Sequence, residues 1–206
     1  LSYAGRPVSV WREGRRQTVT GWGKMAGVTV PGLGKRYRSP VATADWHILS
    51  SRFAVTTRVA FYAGLGARLE HFGLVALAWL AARGWTGDLK PMAGLLMQGR
   101  RLTRRFASDA GAMTVDVSGI DGEGAQAVAH WWLIAERGDG PKVPVLAAMA
   151  LTRRLLDGDF HVGARMAAGA ASLAEIEAEM HAFALRTDRN VETAAPITPE
   201  NARVGA

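Results

Sequence analysis

The sequence predicts an α+β fold, a largely antiparallel sheet with helices packed on one face. Two hairpin signals point to it. Apolar and polar residues alternate around Glu13-Gly14, and again, more strongly, around Asp121-Gly122-Glu123-Gly124. The third observation is order: strands, two helices, a long hairpin, then two helices, rather than strand and helix in alternation.

Residues 7–20 read as the first hairpin, with Val8 and Val10 alternating with polar neighbours. Gly21, Gly23, Gly27, Pro31, Gly32 and Gly34 follow, a density that predicts irregular structure. Residues 35–43 are expected to be extended again. Asp45 is the expected N-cap of a short helix through Ser51. From 55 to 63 the alternation Val55, Thr57, Val59, Phe61, Ala63 predicts one half-buried strand.

Residues 67–83 carry the strongest helical pattern. Leu69, Phe72, Ala76, Trp79 and Leu80 form one stripe. The apolar run Phe72–Ala82 falls short of the roughly 18 residues expected of a membrane span. A buried helix is expected there, with a contact lying on a membrane surface as the alternative. Pro91 suits the first turn of a second helix, to Phe106, with Arg100, Arg101, Arg104 and Arg105 near its C-terminal end.

The hairpin over 113–135 returns through a segment apolar at nearly every position, including Trp131 and Trp132, so both faces are expected to be covered. A helix is predicted from Pro144 to Leu156. Another opens at Ser172 with Glu175 as its capping-box partner and runs to Phe183. Residues 188–206 are expected to be a mobile tail, leaving 1–187 as one domain.

The chain has 206 residues, 49% hydrophobic and 21% charged, enough to build a core without staples. It has no cysteine, which excludes disulfides, thiolate nucleophiles and zinc–thiolate or iron–sulfur sites and fits a reducing, cytoplasmic setting. Net charge is +7. The basic residues lie in short pairs, Arg15-Arg16, Lys35-Arg36 with Arg38, Arg100-Arg101, Arg104-Arg105 and Arg153-Arg154, scattered rather than gathered into one tract. They read as solvated helix ends and hairpin tips, and no nucleic-acid partner is expected. The start at Leu1 shows no signal-peptide pattern and reads as an internal boundary of a longer chain.

A dinucleotide fingerprint needs a strand, G-x-G-x-x-G and a helix. Gly32-Leu33-Gly34 and Gly64-Leu65-Gly66 both lack the third glycine, so no Rossmann domain and no cofactor-binding residue is expected in this chain. His47, His71, His130, His161 and His181 are too dispersed to suggest a metal site, and no catalytic residue can be assigned.

The loop Gly138-Asp139-Gly140-Pro141 is the leading candidate site. Two glycines permit close backbone approach to a ligand, and the following helix offers free N–H groups to a carboxylate or phosphate. The alternative is a strand-to-helix turn capped by Asp139. Asp109 is positioned either to accept from a substrate amine or to fix a turn. His71 is either a general base or a hydrogen-bonded histidine at the core edge. Trp79, Trp85, Trp131 and Trp132 read as core or interface, with a ligand cage as the alternative.

Several stretches together resemble one family. They are Gly5–Arg16, Val30-Pro31-Gly32-Leu33-Gly34, Arg52-Phe53 leading into Thr57–Gly64, and the long helix. Most specific is Ser108-Asp109 to Met113 with its hairpin, then Trp132–Glu136, Gly138–Pro141 and Val143-Pro144. In order and spacing they resemble the part of bacterial saccharopine dehydrogenase-like proteins that follows the coenzyme domain, over about residues 5–187. The resemblance implies a substrate-binding and oligomerisation domain of an NAD(P)-dependent oxidoreductase. NAD(P) would be bound by an N-terminal Rossmann domain of the parent chain, and a homo-oligomer, such as a dimer, is implied. The fragment alone is expected neither to bind NADPH nor to turn over. Two positions depart from the family. Ala110-Gly111 stands where members carry Arg-Gly, and Lys142 stands where they carry an aromatic residue, which suggests a more acidic small-molecule substrate. The alternative function is a non-enzymatic interaction module, at a lipid surface through the 67–83 helix.

Overall fold

A computed structural model describes residues 3–43, 45–86, 94, 98, 108–159, 163, 164 and 166–193. Nine strands form three three-stranded sheets among the described residues, and every pairing is antiparallel. The α+β class is as expected. The chain divides into two compact units, 1–108 and 109–206.

In the first unit, β1 (Pro7–Arg12) and β2 (Arg15–Thr20) form a hairpin with Arg12 opposite Arg15. Glu13 and Gly14 both take positive φ, 52° and 68°. That is the two-residue turn whose twist matches its strands. Val8 and Val10 are buried on one face.

The stretch expected to be irregular contains a strand. β3 (Ala26–Val30) pairs with β4 (Gly34–Pro40), and Pro31-Gly32-Leu33 make the connection. The glycines and proline punctuate the tip and the entry to this hairpin, while the Val28–Val30 alternation between them builds the ladder.

α1 (Asp45–Arg52) matches the expected short helix. The single strand expected over 55–63 is two short pieces instead. β5 (Arg58–Val59) adds to β1, and β6 (Tyr62–Ala63) adds to β4. One extended segment serves two sheets, so the backbone must leave the first ladder before joining the second. Immediately after β6 the backbone runs close to β4: a Cβ on Gly64 would stand 2.4 Å from the Tyr37 carbonyl oxygen, which only glycine avoids.

α2 (Arg68–Ala82) forms as expected but buries a different face. The predicted stripe is largely outward, with Leu69, Phe72 and Trp79 at 71%, 42% and 47% exposure. His71 and Ala78 are the wholly buried positions. Ala4 and Ala78 form a small core joined by Trp22, Leu74, Leu77 and Ala81. Gly5 permits this packing, since a Cβ there would lie 2.5 Å from the Ala78 carbonyl oxygen. No helix among the described residues is long and apolar enough to cross a membrane. Of the helix expected from Pro91 to Phe106, only Gly94 and Gln98 are described, both helical.

In the second unit, β7 (Gly111–Ile120) and β8 (Gln126–Ala135) form the predicted long hairpin. Asp121 locks its turn: Oδ1 accepts the N–H groups of Glu123 and Ala125 at 2.9 and 2.8 Å. β8 is fully buried only at Leu133, Ile134 and Ala135, so coverage of both faces along its length does not hold.

The other side of β8 carries β9 (Leu185–Thr193), from Ala135–Leu185 to Ala127–Thr193. The tail expected from Asp188 is thus corrected, because 188–193 are the outer half of a strand. Residues 194–206 lie outside the described residues. β9 is polar because it is an edge strand held by its ladder to β8, and charged side chains suit such an edge.

A 3-10 turn (Gly140–Lys142) leads into α3 (Val143–Leu156), and α4 (Leu173–Ala178) continues as a second 3-10 turn over Glu179–Ala182. The Ser172–Glu175 capping box is present: Ser172 Oγ accepts the Glu175 N–H, and Glu175 accepts the Ser172 N–H at 2.6 Å. The core of this unit is Leu133, Ala135, Leu146 and Met180, with Trp131, Val143, Ile176, Phe183 and Leu185 against it. Trp131, Leu133 and Ala135 share one strand face, so the helices cover that side of the sheet.

Candidate functional site

β8 ends at Ala135, and two consecutive left-handed residues, Arg137 (φ 52°) and Gly138 (φ 75°), turn the chain. The Gly138 N–H donates to the Asp109 carbonyl at 3.1 Å, and the Asp139 N–H donates to the Glu136 carbonyl at 3.0 Å. The strand that enters the hairpin and the loop that leaves it are therefore stitched together. Asp139 stands at the N-cap position of the turn that follows, as in the alternative reading, but its side chain makes no cap hydrogen bond there. Its Oδ2 accepts the Ala184 N–H at 2.8 Å, and its Oδ1 lies 2.8 Å from Lys142 Nζ. Those two donors, Lys142 first, hold its carboxyl below the usual carboxylate range. Lys142 Nζ also stands 4.8 Å from the centre of the Phe183 ring. The loop is thus tied to the chain entering β9.

The 3-10 turn consumes donors that a helix start would otherwise leave open. The Lys142 N–H bonds the Asp139 carbonyl at 2.9 Å, the Val143 N–H bonds the Gly140 carbonyl, and Pro144 has no N–H. What stays open is the glycine edge, where a Cβ on Gly138 or Gly140 would meet nothing within 4 Å. Chemically, the loop offers close backbone approach and a half-exposed ammonium on Lys142, rather than a helix-dipole cradle.

Asp109 joins this constellation through its carbonyl, while its residue is exposed. His71 belongs to the first unit. It is wholly buried, with Nε2 3.1 Å from Ser39 Oγ and the rings of Trp22 and Tyr37 at 5.9 and 6.5 Å. Nδ1 has no hydrogen-bond partner among the described residues. Burial pushes the imidazole pKa down, which favours the neutral ring. Trp131 serves the core and donates to Glu177 Oε1 at 3.2 Å. Trp132, its strand neighbour, points to the opposite face, so these two do not form a cage. Trp79 and Trp85 stack edge-on at 5.7 Å on the surface of the first unit. Among the described residues no group of three or more His, Asp or Glu is placed to hold a metal ion.

One constellation escapes sequence reasoning. Arg12 faces Arg15 on β2 and Arg58 on β5, so three arginines occupy one cross-strand row. Arg38 and Arg58 both approach the Tyr62 ring, at 4.9 and 5.6 Å from its centre. The available signal was small: Arg12 continues the face of Val8 and Val10, an odd place for a guanidinium. The cross-strand pairing that completes the row is not a local property.

Neither a family model nor a curated protein matches this chain.

Proposed function

We propose that this chain is the non-nucleotide-binding part of a saccharopine dehydrogenase-like oxidoreductase, where it presents the substrate-facing loop 138–142. The observation that carries this reading is the pinned loop. The most specific stretch of the resemblance, Ser108 to Pro144, falls on one continuous device: hairpin, Gly138–Lys142 turn and the start of α3. Asp139 and the Asp109 carbonyl fix that turn, while its glycine edge and Lys142 stay accessible. A fixed backbone edge beside a half-exposed Lys142 that is already paired with Asp139 suits a small polar molecule, because less freedom is lost on binding. Consistent with this, the strand pairings among the described residues are antiparallel, whereas dinucleotide sites of the Rossmann type sit on parallel strands. In the parent enzyme, NAD(P) and the hydride step would belong to the other domain.

The test is a nitrogen-15 NMR titration of the chain with small amino and keto acids. Shifts clustered on Asp109 and 138–142 are expected. Binding that maps elsewhere in the second unit would contradict the reading.

The exposed face of α2 favours a second reading, a peripheral lipid contact. Leu69, Phe72, Trp79 and Trp85 are all outward, and Arg83 stacks 3.5 Å from the centre of Trp79. Aromatic rings and cations side by side suit a membrane interface. Co-sedimentation with anionic vesicles that is lost on Leu69→Ser with Phe72→Ser would support it. No vesicle binding would remove it.

A further inference from the structure

In the first sheet β1 is the middle strand, with β2 on one side and β5 on the other. Register places Arg12 directly opposite Arg15 and directly opposite Arg58. Side chains so paired share a face, with Cβ atoms about 5 Å apart, and like charges in that arrangement destabilise a sheet. A fold needing only stability has no use for such a row. The crowding extends to a second sheet, since Arg38 of β4 and Arg58 of β5 both lie against Tyr62 of β6.

Arg15 has a counter-ion, Glu13 at 3.4 Å, and both are well exposed. Arg12 and Arg58 pair with no carboxylate among the described residues, and the Arg12 Nε is buried without an acceptor. Burial and then the charges of Arg12 and Arg38 lower the Arg58 pKa, so the repulsion is felt across the group.

We infer that Arg12 and Arg58, paired across β1 and β5, together with Arg38, which shares the Tyr62 ring with Arg58, form a binding site for the oxyanion of a small molecule, a phosphate or a carboxylate. A guanidinium presents parallel N–H groups that match two oxygens of either anion, and an anion among several guanidiniums turns repulsion into attraction. The row supplies donors from two strands at fixed spacing, while Tyr62 holds the Arg38 and Arg58 planes by cation–π contact. The site lies wholly in the first unit and does not depend on the role proposed for the 138–142 loop.

The experiment is calorimetric titration of the 206-residue chain with inorganic phosphate and, separately, with malonate, at ionic strength held constant with sodium chloride. Saturable binding of at least one anion is expected. Phosphate alone identifies a phosphoryl ligand, and malonate alone a carboxylate. Arg12→Gln and Arg58→Gln should each weaken binding tenfold or more. Arg58→Lys, which keeps charge but loses the fork, should weaken it less. Arg186→Gln, in the second unit, should leave it unchanged. Far-UV circular dichroism checks that each variant folds. The unmodified chain gives a second readout, since the bound anion should raise its thermal midpoint beyond the effect of sodium chloride. No saturable binding of either anion overturns the inference, as does binding that folded Arg12→Gln and Arg58→Gln variants leave unchanged.

Discussion

Among the described residues of the second unit few side chains are wholly buried, and Leu146 is the one that α3 contributes at the centre of the core. It lies in one cluster with Leu133, Ala135 and Met180. Leu146→Ala deletes most of that side chain from a closed environment. Such truncations cost about 2–5 kcal/mol, the spread reflecting how far the site collapses. Collapse is restricted here, because Leu133 and Ala135 sit on a strand laddered on both sides. The upper part of the range, about 3–4 kcal/mol, is therefore expected. Domains of this size have about 5–15 kcal/mol in total, and each kcal/mol moves the midpoint by roughly 4–8 °C. Scanning calorimetry should show a drop of about 12–30 °C in the transition of this unit. Val145→Ala, one residue away but 52% exposed, is the control and should cost under about 1 kcal/mol. A Leu146→Ala penalty no larger than the control would mean that α3 does not pack on the sheet through this face.

Three further outcomes follow from single groups. His71 has a folded pKa lowered by burial, so in the window below about 6.5 the unfolded chain binds the extra proton. Its contribution is therefore complete above that pH and declines as pH falls towards the folded value, by at most about 1.4 kcal/mol per pH unit. Urea midpoints against pH should show this slope and lose it in His71→Leu. Asp139→Ala removes the acceptor of the Ala184 N–H and the partner of Lys142, so hydrogen exchange at Ala184 should quicken while exchange within the β7–β8 ladder changes little. Equal protection at Ala184 in both proteins would show that Asp139 does not pin the loop. Ser172→Ala removes the capping-box hydroxyl and should lower stability by about 1 kcal/mol in urea unfolding, with no loss if the box is incidental.

How much was legible differs from element to element, for physical reasons. The β1–β2 and β7–β8 hairpins could be read because their turns are local chemistry, Glu13-Gly14 with paired positive φ and Asp121 capping its own loop, whereas β3 was masked by the glycines and proline around it. The Ser172–Glu175 box was equally local. The other failures were decided by distant partners. α2 is apolar on nearly all sides, so periodicity could not say which face turns inward, and the inward face proved to include His71 with Ser39 as its mate. The 55–63 alternation is real, yet two sheets compete for it. β9 reads as a polar tail because an edge strand held by backbone bonds needs few apolar side chains. In the candidate loop the glycines were legible. The use of Asp139 was not, because its acceptor role depends on Ala184, far along the chain. The arginine row was hidden for the same reason.

On the proposed reading a dinucleotide is gripped outside these residues. Calorimetric titration of the chain with NADPH is the measurement. No saturable heat up to millimolar coenzyme is the predicted result, with the NMR spectrum of the loop unchanged. A micromolar dissociation constant would contradict the account and place coenzyme recognition within these residues.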